Sequence, residues 1–219
     1  MPASPTATHE HIRDVNTRYH DAAAGSYDAK WGIDFGETGQ QQVAAKLKRT
    51  LGGKLPEPFG DALEIGAGTG YFSLNLASQG LIRNLTATDI SPGMLKSLKS
   101  TAKDLGIKVR TVVTDAENLP FPDESFDVVL GHAVLHHIPD LDKAFSEFFR
   151  VLKPGGMIVF CGEPSRYGDR LAAVPKRTGF FVAPAWRRLV GADALTHTAE
   201  EMADDEPSLE PEDAVHAFV

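Results

Sequence analysis

The sequence is poor in cysteine, in long apolar runs and, toward its end, in basic residues, and each shortage removes a class of protein. Its single cysteine, Cys161, excludes an intrachain disulfide and fits a reducing compartment. The apolar run Met157-Ile-Val-Phe-Cys161 marks that thiol as a buried structural one. No run of 18 apolar residues occurs, and the polar N-terminus, with His9, Glu10, His11 and Asp14, lacks a signal-peptide pattern. These features predict a cytoplasmic protein without stable membrane insertion. No Lys or Arg follows Arg188, whereas the stretch from Glu200 to Asp213 holds eight acids. The other 22 acids match the 22 basic residues, so the net charge of −8 belongs to a tail. Nucleic acid, which requires a basic surface, is excluded as a partner.

What remains is ordinary for a globular protein: 219 residues, 42% apolar and 24% charged, enough for one α/β domain with appendages. The chain is organised around Asp61-Ala-Leu-Glu-Ile-Gly-Ala-Gly-Thr-Gly-Tyr-Phe72. An apolar, strand-like start runs through Gly66, Gly68 and Gly70, and apolar spacing resumes at Phe72, Leu74 and Leu76. This is a buried strand, a tight loop and a helix start. Glycines let backbone approach a ligand closely, and the helix offers free N–H groups. The dinucleotide fingerprint G-x-G-x-x-G is not met, because Tyr71 stands where its third glycine belongs. Glu64 at the strand end would repel a pyrophosphate but suits a ligand with a ribose and a cationic amino-acid end.

Along the chain, residues 1–55 read as an N-terminal helical lid, 56–165 as a nucleotide-binding core, and 166–219 as a helical cap with an acidic C-terminal segment. Helical spacing covers about 9–30, interrupted at Gly25, and 40–51, closed by Gly52-Gly53. Strands are predicted at 61–65, 85–89, 109–113, 126–131 and 156–161. Between them, Ser91-Pro92 opens a helix and Lys153-Pro-Gly-Gly156 closes one spanning about 140–152. This alternation predicts a doubly wound, mainly parallel Rossmann-like α/β sheet with its ligand at the carboxyl ends of the strands. Basic residues and aromatics from Arg166 to Arg188 read as short packing helices.

Four features recur at successive strand ends: Glu64 with its glycines, Asp89, Asp115-Ala116, and Gly131-His132. In a parallel sheet they converge on one crevice. Asp89 lies 19 residues after Gly70, close to the roughly 20-residue spacing at which a carboxylate meets both ribose hydroxyls. Asp115 suits an adenine amino group and the Ala116 N–H a ring nitrogen.

The segments Leu63-Glu-Ile-Gly-Ala-Gly-Thr-Gly70, Thr88-Asp-Ile-Ser-Pro-Gly-Met94, Asp115-Ala-Glu-Asn-Leu-Pro-Phe121, Phe126-Asp-Val-Val and Leu152-Lys-Pro-Gly-Gly156 resemble the class I S-adenosylmethionine-dependent methyltransferases. The likeness is greatest to the branch that includes the ubiquinone- and menaquinone-biosynthesis C-methyltransferases. It implies that Gly66, Ala67, Gly68 and Gly70 form the loop beneath the methionine part of S-adenosyl-L-methionine. Glu64 would order that loop, Asp89 hold the ribose, Ile90 and Met94 flank the adenine, and Asp115 with Ala116 read its edge. The backbone at Gly131 and His132 would face the methionine end. Tyr19 and Tyr27 resemble the paired aromatics of the family's lid.

The implied reaction is methyl transfer to a small, apolar or aromatic acceptor, with S-adenosyl-L-homocysteine as product. His132, His136 and His137 follow the fourth strand, where acceptor and methyl would meet, and His132 and His136 are the candidate general bases. Adjacent histidines without a carboxylate or cysteine at ligand spacing give no metal site. Two other readings stay open: a catalytically inactive domain that binds cofactor or partner, and an NAD(P)-dependent oxidoreductase, against which Tyr71 and Glu64 speak. Members of the family complete the sheet with two further strands that cannot be placed before Val219, although Ala214-Val-His-Ala-Phe-Val219 is strand-like. A natural chain continuing beyond Val219 accounts for this, and the open sheet edge would allow a homodimer.

Overall fold

The structure is a computed structural model that describes residues 8–163. The readings made for the basic, aromatic stretch, the acidic run and the strand-like end lie outside the described residues. The elements follow in the order α1 (His9–Ala23), α2 (Tyr27–Trp31), α3 (Glu37–Thr50), β1 (Phe59–Ile65), α4 (Tyr71–Ser78), β2 (Ile82–Asp89), α5 (Pro92–Asp104), β3 (Val109–Val113) and β4 (Phe126–His132). A single 3-10 turn at Leu135–His137, α6 (Leu141–Val151) and β5 (Leu152–Cys161) complete the described residues.

All four strand pairings are parallel, in the order β3-β2-β1-β4-β5. β1 therefore lies between β2 and β4, where the direction of winding reverses and ligands of such sheets collect. Helices cover both faces. Residues of α3, α4 and α5, with Val43, Leu47, Leu74 and Leu98 fully buried, pack with Ala62, Val128 and Leu130 on one side. Ala144, Phe148 and Val151 of α6 pack with Leu63, Ile65 and Val129 on the other. Burial from both sides explains why Ala62–Ile65 of β1 and Val128–Gly131 of β4 are buried at every position rather than at alternate ones.

Local signals act as their chemistry predicts. Ser91 caps α5, its hydroxyl accepting from the Met94 N–H at 3.1 Å with Pro92 in the first turn. Asp140 caps α6 through the Lys143 N–H at 3.0 Å. One local reading needs correction. The segment Lys153–Gly156 does not merely end a helix. α6 stops at Val151, Leu152 already pairs with Phe126, and Met157 pairs with Val128, so the intervening residues form a bulge within β5. A bulge tolerates Pro154, which has no N–H to give a ladder. Lys153, thrown outward, joins Asp61 at 2.7 Å and Asp127 at 3.0 Å.

Helix α3 begins three residues earlier than its spacing indicates, because Asp34 organises its entry. The Asp34 carboxylate accepts from the N–H groups of Gly36 at 3.0 Å and Gly39 at 2.8 Å. Gly39 lies so close to the chain before the helix that a Cβ there would stand 1.8 Å from the Asp34 carbonyl oxygen. Gly39→Ala must push α3 off this seat, a clash with backbone that no side chain can relieve. The expected cost is about 1–3 kcal/mol, read as a lower midpoint in urea unfolding, whereas Gly25→Ala, which meets open space, leaves the midpoint near that of the parent.

Candidate functional site at the carboxyl ends of the strands

The glycine loop is fastened to the next strand before any ligand is considered. The Asp89 carboxylate, at the end of β2, accepts from the Gly68 N–H at 2.8 Å and from the Ser91 N–H at 2.8 Å. The Ala67 N–H donates to the Thr88 carbonyl at 2.8 Å, and the Thr88 hydroxyl to the Glu64 carbonyl at 2.7 Å. The loop glycines have different tasks. Gly66, with φ +57°, admits Val134, which would stand 2.1 Å from a Cβ there. Gly70, with φ +94°, begins α4 against Leu74 and Leu98. Gly68, with φ +55°, faces open space, so it is the point at which the loop's backbone is accessible from above.

Beneath the loop, Glu64 is 1% exposed. One oxygen accepts a long bond, 3.3 Å, from the Ser73 N–H, and the other has no partner among the described residues. Burial pushes its carboxyl up to about 8, against the lowering effect of Ser73. Asp89 is also raised, by burial first, with the bonds from Ser91 and Gly68 acting the other way.

Helix α1 lies across the mouth of the crevice and supplies groups that sequence reading missed. Arg13 pairs with Glu117 at 2.8 Å and with Asp115 at 3.5 Å. The Asn16 side chain donates to the His137 carbonyl at 3.4 Å. Asp21 accepts from the Ser91 hydroxyl and, at 2.8 Å, from the Gly93 N–H. His20 meets the rings of Tyr19 at 5.3 Å, His137 at 5.7 Å and Tyr27 at 6.1 Å. Burial lowers the His20 pKa while Asp89 pulls it up, which places the imidazole within electrostatic reach of the β2 carboxylate. Tyr27 is raised by burial and then by Tyr19 and Asp89. The structure thus brings Tyr19, Tyr27 and Asp89 together through a histidine that its polar helical context did not single out.

The remaining sequence-predicted residues fall as follows. Ile90 is half-buried beside the crevice, and Met94 is 1% exposed, packed beneath it. Asp115 faces its own turn, accepting from the Glu117 N–H and from Asn118, while Ala116 rests against the apolar cluster that includes Phe121. A Cβ at Gly131 would strike Phe160 and Val134, so backbone there is tightly nested. His9, Glu117 and Asp140 also gather, but Arg13 and the Asp140 N–H already occupy the two Glu117 oxygens.

The histidines differ sharply. His132, at the end of β4, stacks on Phe72 at 5.6 Å and meets Tyr71 edge-on, and its Nε2 lies 2.8 Å from Lys46 Nζ. Burial, then the Lys46 charge, holds it down at about 4. His136 Nδ1 lies 2.9 Å from Glu163 Oε2, while Glu163 Oε1 accepts from the Val134 and Leu135 N–H groups. Burial would raise Glu163, but these bonds outweigh it and lower its pKa. Glu163 was legible in principle: it continues the series of polar residues at strand ends, two positions beyond β5.

Because Glu64 is raised from 4.5 to about 8, the folded protein retains a proton that the unfolded chain releases. Its contribution to stability is complete below pH 4.5 and is lost as pH rises through about 8. Glu64→Gln is expected to flatten the fall in unfolding free energy across that window, where one proton contributes a slope approaching about 1.4 kcal/mol per pH unit. Urea unfolding at several pH values checks this; Asp89, raised in the same direction, adds to the fall, whereas His132 and His137, lowered from 6.5 to about 4, give a rise between those values that Glu64→Gln leaves in place.

Comparison with known proteins follows the same geometry. Residues 63–160 match the family model of a methyltransferase domain. The chain is 35% identical over 188 residues to a malonyl-[acyl-carrier protein] O-methyltransferase of Methylococcus capsulatus, covering 80% of this chain and 61% of that protein. It is 35% identical over 158 residues to a ubiquinone/menaquinone biosynthesis C-methyltransferase of Vibrio campbellii, covering 68% and 60%. The chain therefore spans less than two thirds of the length of these relatives. Among solved structures, phosphoethanolamine N-methyltransferase 2 of Haemonchus contortus in complex with S-adenosyl-L-methionine aligns with a TM-score of 0.56 at 28% identity, over 74% of this chain and 39% of that one. The sheet order, the glycine loop fastened to Asp89 and these likenesses agree: residues 63–160 form a methyltransferase domain of the class I S-adenosylmethionine-dependent kind, similar alike to the malonyl-[acyl-carrier protein] O-methyltransferases and to the ubiquinone/menaquinone biosynthesis C-methyltransferases.

Proposed function

We propose that this protein is a methyltransferase that binds S-adenosyl-L-methionine above β1 and β2 and methylates a small, apolar or aromatic acceptor. The observation that carries the reading is the junction of Gly68 with Asp89, a carboxylate fixed at the rim of open space by the backbone it would share with a ligand. The residues fit the cofactor. Gly66, Ala67, Gly68 and Gly70 form a floor for its methionine part, and Asp89 retains lone pairs for ribose hydroxyls. Ile90 and Met94 give the adenine an apolar flank, and Asp115 with Ala116 supplies its polar edge. Glu64 orders the loop from beneath. Gly131 and His132 border the methionine end, and Tyr19, Tyr27 and His20 cover the whole from α1.

When bound, S-adenosyl-L-methionine supplies a methyl group already activated by its sulfonium charge. The protein's task is then alignment and exclusion of water, a contribution that reaches about 7–11 kcal/mol for well-oriented reactants. α1 provides the cover. If the acceptor must lose a proton, the geometry favours His136 over His132 as general base. Glu163 orients the His136 ring as a carboxylate orients a catalytic imidazole, whereas the His132 Nε2 lone pair is engaged by Lys46. The relatives named above differ in acceptor, one for a quinone carbon and one for a malonyl oxygen, so the likeness does not select between them.

Calorimetry tests the cofactor. S-adenosyl-L-methionine and S-adenosyl-L-homocysteine are expected to bind and NAD is not, and Asp89→Ala should weaken S-adenosyl-L-homocysteine by about 10- to 100-fold, the value of hydrogen bonds to a charged group. Absence of binding by either adenosyl compound overturns the reading. With an acceptor found among quinols, phenols and fatty acids, His136→Asn should lower kcat by about 10²- to 10⁴-fold without changing S-adenosyl-L-homocysteine affinity.

A further inference from the structure

Lys46 is a cation whose setting is not that of a surface lysine. Its neighbours on α3, Lys48 and Arg49, are exposed, whereas Lys46 is half-buried and turned toward the sheet. Its Nζ lies 2.8 Å from His132 Nε2 and 3.5 Å from the Tyr71 hydroxyl, and stands over the Tyr71 ring at 4.9 Å. None of these partners carries negative charge. Among the described residues no carboxylate forms an ion pair with it, although Arg13, Arg18, Arg150 and Lys153 all have such partners. Desolvation lowers its pKa, the cost of a charge withdrawn from water, with Cys161 alone acting the other way. Glu163, on the other side of His132, spends its charge on Val134, Leu135 and His136.

The place matters as much as the charge. His132 ends β4 and pairs with Cys161 at the end of β5, and Tyr71 opens α4 directly after the glycine loop. Lys46 therefore stands beside the methionine end of the proposed cofactor seat, on the β4 and β5 side, away from Asp89 and Asp115. His132 is clamped between Phe72 and Tyr71, and a Cβ at Gly162 would meet its ring at 2.5 Å. The ring is consequently a rigid acceptor that fixes one Lys46 N–H and leaves the others to point elsewhere. Tyr71 in turn donates to Gln42 at 3.2 Å, so its oxygen is presented to Lys46 as an acceptor.

We propose that Lys46, held by His132 and Tyr71, is the receptor for an oxyanion on the methyl acceptor, a carboxylate or an ionised phenol or enol. This deepens the proposed function and rests on it. It narrows the acceptor from any small apolar molecule to one with an apolar body and an acidic oxygen, and it makes His132 a positioning residue for the lysine rather than the base. For an acceptor that arrives protonated, Lys46 would stabilise the oxyanion left when His136 takes its proton.

The test uses the full chain, benzoate and octanoate as probes, and benzamide as the neutral counterpart of benzoate. His132 is followed by NMR of ring-labelled histidine, with and without saturating S-adenosyl-L-homocysteine. Both carboxylates are expected to shift the His132 signals saturably and to raise the pH at which the ring titrates from about 4, since a nearby anion favours imidazolium. Benzamide is expected to do neither. Lys46→Met should weaken the carboxylates by about 10- to 100-fold, and Lys46→Arg should retain most of the binding. The two variants together separate loss of charge from loss of fold. The inference is overturned if the carboxylates leave His132 unmoved, if benzamide binds as well as benzoate, or if Lys46→Met responds like the parent protein. Failure of S-adenosyl-L-homocysteine to bind would instead remove the cofactor reading, and the titrations without it would still decide the fate of Lys46.

Discussion

The hydrogen bond from the Gly68 N–H to Asp89 holds the site together. It joins the loop after β1 to the end of β2, and the same carboxylate fixes the Ser91 N–H at the entry to α5. Three elements thereby share one acid. Its burial works against ionisation, and the two backbone donors work for it, so the acid stays poised between the needs of the fold and those of a ligand. Glu64 below it has no such help. With one long bond and one oxygen without a partner among the described residues, it retains its proton into the neutral range, and the loop rests on a carboxylic acid rather than on a charge.

Much of this architecture was legible in the sequence because it is local. The continuous burial of β1 and β4, the Ser91-Pro92 start and the polar residues at strand ends each follow from a few neighbouring positions. Parallel pairing then forces those ends together, so the alternation of elements alone groups Glu64, Asp89, Asp115 and His132. The bulge at Lys153–Gly156 escaped because Pro-Gly-Gly has the same composition whether it ends a helix or interrupts a strand. What decided the matter was Leu152 pairing with Phe126, a contact no local pattern encodes.

The less legible part of the site comes from helices that pack from far along the chain. Arg13 reaches Glu117 across 104 positions, and Lys46 reaches His132 across 86. On α3, Lys46 precedes the buried Leu47 and follows the buried Val43, and an amphipathic pattern assigns such a flank position to solvent. The helix instead turns it toward the sheet, because Asp34 and Gly39 fix where α3 begins. A residue without a Cβ thus sets the register that places an ammonium group at the end of β4. The histidines divide for a similar reason: His132 is governed by Lys46 and the aromatic clamp, His136 by Glu163, although both belong to one short segment.

Helix α1 touches the turn after β3 through Arg13, the turn after β4 through Asn16, and the entry to α5 after β2 through Asp21. A helix tied at three separate strand ends cannot rest on the sheet unless those ends are correctly spaced relative to one another. The contacts that seat the N-terminal helix are therefore linked to the spacing of the strand ends. A ligand that holds the strand ends at their working spacing thus also favours the seated form of α1.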